Sequence, residues 1–188
     1  MLANGSTLEA QGHVDVWAGG TLGALAGSQV DIASLEVRPG GSVTGNGTAH
    51  ATTMVWAGGA ISGGGSLEVL NVLLIRGPDP KTLSSSSILC FGETTWVGTG
   101  NIVVSGSSTI GIVGPTARFI IGNGQRIERV APGDAVLAFA LGAVLEKVPG
   151  SGTTTIDLPV TLDTASVTAN PGIQDLDIVF AGGIIPVP

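Results

Sequence analysis

The sequence predicts an all-β fold of short stacked strands, a parallel β-solenoid, and three observations lead to it. Val16-Trp17-Ala18-Gly19-Gly20, Val55-Trp56-Ala57-Gly58-Gly59 and Thr95-Trp96-Val97-Gly98 repeat one phrase, and the steps between their tryptophans are nearly equal. The chain has no other tryptophan. A recurrence of about 20 to 50 residues marks stacked repeats, in which each unit buries its apolar face only against its neighbours. Between these phrases run short segments that alternate apolar and polar residues at period two, the pattern of half-buried strands. Finally, 31 glycines and 10 prolines in 188 residues place turns throughout and leave little room for helices.

Taken in order, Thr7-Leu8-Glu9-Ala10, His13-Val14-Asp15-Val16-Trp17, Gln29-Val30-Asp31-Ile32 and Ser34-Leu35-Glu36-Val37 read as strands. Gly19-Gly20, Pro39-Gly40-Gly41, Asn46-Gly47 and Asn123-Gly124 supply turns, because glycine and asparagine tolerate positive φ. The stretch 23–29 is irregular. From Val55 to Val69 the text reads as strand, glycine turn, short strand, second glycine turn and strand. Arg76-Gly77-Pro78-Asp79-Pro80 is a corner, since proline cannot donate to a ladder. The uniformly apolar segment 134–141 suits a buried strand better than a helix capped by Asp134. Further strands are expected at 144–148, 153–158, 166–169 and 175–180.

Each tryptophan period then holds about six strands, too many for one turn of a solenoid. Two coils of about 20 residues with three strands each fit better, which gives eight to nine coils in a single domain over 1–188. Trp17, Trp56 and Trp96 are expected at equivalent places in alternate coils. Their indoles should be buried or packed at a corner, with a sugar-stacking stripe as the functional alternative. Arg38, Arg76 and Arg118 trail the three tryptophans in turn, each by about half the tryptophan period. They are expected to form an approximate column of solvated corner residues.

Composition narrows the function classes. The net charge is −7 with only seven dispersed Lys and Arg, which argues against nucleic acid. Only 11% of residues are charged, yet no apolar run approaches the ~18 residues that span a bilayer. The single cysteine, Cys90, excludes an intrachain disulfide and reads as a small buried hydrophobe in Ile88-Leu89-Cys90-Phe91. Met1-Leu2-Ala3-Asn4 enters repeat-like text at once, without a secretion signal, as expected of a piece of something longer. Asn4-Gly5-Ser6 and Asn46-Gly47-Thr48 are acceptor sequons and, equally, ordinary turns.

The segment Gly142-Ala-Val-Leu-Glu-Lys-Val-Pro-Gly-Ser-Gly-Thr-Thr-Thr-Ile-Asp-Leu-Pro-Val-Thr, with Ala165-Ser-Val-Thr-Ala and Asp177-Ile-Val-Phe-Ala-Gly-Gly, resembles repeat text of extracellular right-handed parallel β-helix proteins. Trp56-Ala-Gly-Gly-Ala-Ile-Ser-Gly-Gly-Gly-Ser-Leu is similar to repeats of the same group, which occur in autotransporter-like surface adhesins. The resemblance implies a right-handed parallel β-helix and an extracellular or cell-surface location. It implies little about chemistry.

Parallel β-helices also include polysaccharide lyases and hydrolases. Asp175 and Asp177, i and i+2 on one strand face, are the best local carboxylate pair for a hydrolase. No tyrosine or histidine cluster accompanies them. Arg126, Arg129 and Asp134 are the densest mixed cluster for a lyase. His13 and His50 are far apart in the chain, at different offsets from their tryptophans, and no metal site is expected of them. Threonines such as Thr52-Thr53 and Thr153-Thr154-Thr155 lack the per-coil regularity of an ice-binding ladder. The sequence therefore points to a non-catalytic structural or adhesive module without cofactor. Its expected partners are copies of itself, neighbouring coils of a parent protein, or surface glycans. A carbohydrate-binding or polysaccharide-degrading β-helix is the alternative.

Overall fold

The computed structural model describes residues 7–131, 133–163 and 178–187. Among them it holds only strands and turns, wound into about eight coils of about 21 residues, a parallel β-solenoid. The first coil contains β1 (Thr7–Val16) and β2 (Thr21–Ala24), and the second β3 (Gln29–Val37) and β4 (Ser42–Gly45). The third has β5 (Thr48–Trp56) and β6 (Gly59–Ser62), and the fourth β7 (Ser66–Ile75) and β8 (Lys81–Ser84). From the fifth coil the long strand divides in two. That coil has β9 (Ser87–Cys90), β10 (Glu93–Trp96) and β11 (Ile102–Ser105), and the sixth has β12 (Thr109–Ile112), β13 (Arg118–Ile121) and β14 (Arg126–Arg129). The seventh has β15 (Val136–Phe139), β16 (Val144–Lys147) and β17 (Thr154–Ile156). β18 (Val160–Asp163), β19 (Ile178–Phe180) and β20 (Ile184–Val187) complete the described chain. The strand expected over 166–169 lies outside the described residues.

Every strand pair is parallel and joins one coil to the next, so the ladders define three faces. Face I stacks the first halves of β1, β3, β5 and β7 on β9, β12, β15, β18 and β20. Face II stacks their second halves on β10, β13 and β16, and face III runs from β2 to β19. Register slips at Ala10/His13 and Ala51/Thr53 mark the bend between faces I and II. There a strand turns a corner without breaking its ladder, as bulges allow.

Because side chains alternate at period two, each face sends one phase inward, and in-register stacking turns that phase into columns. Leu8, Val30, Ala49, Leu67, Ile88, Ile110, Leu137, Val160 and Ile184 form one such column on face I. On face II, Val16, Val37, Trp56, Ile75, Trp96 and Ile121 form another, and Lys147 continues it. The 134–141 segment contributes β15 with Leu137 and Phe139 buried, so it is a strand. The irregular stretch 23–29 contains the end of β2, a turn and the start of β3. Corners are tight: at Gly45, φ is 127° and an added Cβ would lie 1.8 Å from the Ala24 carbonyl oxygen one coil away. Only glycine fits that approach.

Two lysines enter the interior, a feature absent from the sequence reading. Lys81 is fully buried, and its Nζ donates to the carbonyls of Gly77 (2.9 Å) and Asp79 (2.7 Å). Burial pushes its ammonium below the ordinary lysine value, while Asp79 pulls the other way. Lys147 Nζ donates to the Asn123 carbonyl and to Ser151 Oγ (2.7 Å). Each lysine satisfies turn carbonyls from inside the tube, which offsets the cost of burying the charge.

Candidate functional site

The outward phases of the first four coils carry the densest chemistry among the described residues. In-register stacking places Glu9, Asp31, His50 and Glu68 one above another on face I. His50 is bracketed: Nδ1 lies 2.8 Å from Asp31 Oδ1, and Nε2 lies 3.4 Å from Glu68 Oε2. Gln29 Nε2 donates to both Asp31 oxygens at 2.8 and 2.9 Å. A groove of about 310 Å³ opens beside this ladder at the bend, lined by Glu9, Gln11, Asp31, Ala33, His50 and Thr52. Asp31 and Glu68 both meet His50 across a coil boundary, and Asp31 also accepts from Gln29 of its own strand. The ladder thus works as a lateral tie between coils.

Face II and its corner carry a second network. Arg38 donates through Nε to Asp15 Oδ1 at 3.1 Å and through Nη2 to Glu36 Oε2 at 3.2 Å. Arg76 Nη2 donates to the other Glu36 oxygen at 3.2 Å, and His13 Nε2 lies 3.2 Å from Asp15 Oδ1. Desolvation would raise the Asp15 carboxyl, but hydrogen bonds from Arg38 and then His13, with their charges, outweigh it. The carboxyl sits below its ordinary range. Glu36 is 7% exposed although it points outward, because both guanidinium groups close over it.

Ligand atoms of His13, Asp15 and Glu36 lie within 4.8 Å of one another, a spacing open to a metal ion. Arg38 already engages both carboxylates and Arg76 the second oxygen of Glu36. A divalent cation would have to displace them, so the donor set does not fit a cation site. His13 stands on face II and His50 on face I, in separate columns, as their offsets from the tryptophans indicated.

The tryptophans divide in a way their near-equal spacing did not anticipate. Trp56 and Trp96 end the face II strands of coils three and five, with Ile75 between them, and are 1% and 0% exposed. They occupy equivalent places in alternate coils, as expected. Their Nε1 atoms, with Thr94 Oγ1, are buried without a hydrogen-bond partner. Trp17 is not in that column. Val16 occupies the inward place, and Trp17 comes one position later, on the corner, 58% exposed. A slip of one position exchanges inside for outside.

The arginines divide likewise. The ladder bonds Arg38 N to Val16 O, Ala57 N to Val37 O and Arg76 N to Trp56 O, so Trp17, Arg38, Ala57 and Arg76 share one corner column. Arg118 does not join them: it opens β13, pairs in register with Glu93 and Val144, and forms an ion pair with Glu146. Nor is the column simply solvated, since Glu36 binds both of its arginines. The Arg38 guanidinium also lies over the Trp17 ring, 4.1 Å from its centroid.

The remaining sequence candidates do not converge. Arg126 Nη2 donates to Asp157 at 2.8 Å, Arg129 donates to the Gly133 carbonyl, and neither bond involves Asp134. Asp175 and Asp177 lie outside the described residues. Cys90 is buried in its interior column, and desolvation pushes its thiol up to about 12, with a smaller opposing contribution from Thr94. It has the character of a packed apolar residue rather than a nucleophile. No family model, curated protein or solved structure matches the chain.

Proposed function

We propose that the chain is a non-catalytic structural and adhesive β-solenoid module of an extracellular or cell-surface protein, and that copies associate through their terminal coils. The observation that carries this reading is the state of the two ends. Among the described residues, β1 and β20 each pair on one side only, at opposite ends of the same face I ladder. A long edge strand such as β1 presents unpaired backbone donors and acceptors and templates another strand. Among the described residues the inward column is least covered at its two ends: Leu8 is 44% and Ile184 50% exposed, whereas Val30 and Val160 next to them are buried. Seating Ile184 of one copy over Leu8 of another continues a column that already runs the length of the chain. The low charge content, 11%, leaves little repulsion between copies. The location rests on the resemblance to surface β-helix repeats.

Sedimentation of the full chain with charge variants at the two ends tests this. Wild type should form larger species as concentration rises. Leu8→Lys with Ile184→Lys should stay monomeric, because like charges would meet at the junction. Leu8→Lys with Ile184→Glu should associate again. A wild type that is monomeric throughout, or association that ignores these changes, contradicts the proposal.

A further inference from the structure

We propose that Trp17, with the groove beside it on the first coil, is a binding site for a neutral oligosaccharide, open in the unstacked chain. The chain hides its other two tryptophans completely and leaves this one 58% exposed. The turn does not require an aromatic side chain. The same corner position is held by Ala57 in coil three and, through the matching ladder bonds, by Val97, Gly122 and Val148 in coils five, six and seven.

The exposed ring is also held. Arg38 lies over it, Asp15 and Glu36 fix Arg38, and Glu36 is buried and tied to Arg76. Residues from three coils therefore position one indole, so little side-chain entropy remains to be lost when a ligand stacks on it. Arg38 comes from the following coil and covers one ring face. A ligand would therefore stack on the opposite face.

The surroundings select the ligand class. An indole face is apolar with a negative quadrupole, and it packs well against the C–H face of a pyranose ring. Asp15 uses a single oxygen, Oδ1, for both His13 and Arg38. Among the described residues Oδ2 has no partner, so it is able to accept from a sugar hydroxyl. The Thr21 hydroxyl, 3.0 Å from Ser42 Oγ, adds a further polar group. The groove that Asp15 and Thr21 share with Trp17 and Leu22 measures about 350 Å³, at the lower end of the range for small-ligand sites. Arg38 and Arg76 are already matched by Asp15 and Glu36. An acidic sugar would find no unmatched cation at this corner and would approach a chain of net charge −7.

Saturation-transfer NMR of the full chain with cellohexaose, chitohexaose, mannohexaose and hexagalacturonate tests the site. At least one neutral hexasaccharide should bind saturably and shift the tryptophan fluorescence. Trp17→Ala should weaken it about tenfold or more, and Trp17→Phe, which keeps an aromatic face, should retain most of the affinity. A denaturation midpoint in Trp17→Ala close to that of wild type would separate lost binding from lost fold. Three outcomes overturn the proposal: no binding by any neutral hexamer, binding that survives Trp17→Ala, or hexagalacturonate binding as tightly as the neutral sugars.

Discussion

Truncating the tryptophans one at a time separates the two kinds of place they occupy. Trp96 is fully buried between Ile75 and Ile121, and Trp→Ala in a packed core costs about 3–5 kcal/mol through lost transfer energy and the cavity left behind. Its Nε1 has no hydrogen-bond partner, a burial penalty of about 1–3 kcal/mol that truncation removes. The net loss expected for Trp96→Ala is therefore about 2 kcal/mol, and the same holds for Trp56→Ala. Trp96→Phe keeps an aromatic ring and discards the unpaired N–H, so it should cost less than about 1.5 kcal/mol. Trp17→Ala forfeits one cation–π contact at an exposed site, about 0.5–1 kcal/mol. Urea unfolding followed by far-UV circular dichroism reads all four, with the m-value checked because stacked repeats can unfold in parts. A Trp17→Ala variant as unstable as Trp96→Ala would refute the offset of Trp17 from the interior column. So would a Trp96→Ala variant that loses less than about 1 kcal/mol.

Two further outcomes follow from the ionisable groups. The folded Cys90 thiol titrates at about 12 against an ordinary value of 9.0, so above that ordinary value the unfolded chain gives up a proton that the folded chain keeps. Stability should then fall by about 3 kcal/mol between about pH 8 and pH 11, and Cys90→Ala should remove that part of the slope; an unchanged slope would contradict the burial. Glu36→Gln leaves Arg38 and Arg76 without their shared carboxylate and should cost about 1–3 kcal/mol, moderated because both arginines are partly solvated. The loss should shrink at high salt, as measured by denaturation midpoints, and a loss independent of salt would contradict the ion-pair account.

The architecture was legible where residues report their own phase. Alternation in Thr7–Ala10 and Gln29–Ile32, and the glycine turns around Ala60-Ile61-Ser62, give strand length and corner, and the step from Trp56 to Trp96 gives two coils. The same spacing misplaced Trp17, because a period counts residues and cannot show whether a coil has gained or lost one. The coil that runs from Thr48 to its partner Ser66 is short, and the one from Thr109 to its partner Val136 is half as long again. Equal spacing and equal position therefore part company. Arg118 failed for that reason: coil six had lengthened. The sequence reading assigned no interior place to Lys81 or Lys147, although Lys147 sits two places after Leu145 in the inward phase of its strand. That phase was the available signal. The networks around Glu36 and His50 were out of reach, since they depend on which side chains of neighbouring coils stack on one another.

Cryo-electron microscopy of the purified chain at rising concentration tests the central claim most directly. Eight coils at about 4.8 Å each make one copy about 40 Å long. Terminal stacking predicts unbranched rods with a continuous ~4.8 Å axial repeat that lengthen in steps of about 40 Å as concentration rises. Particles of one fixed length, about that of a single copy at every concentration, would contradict it.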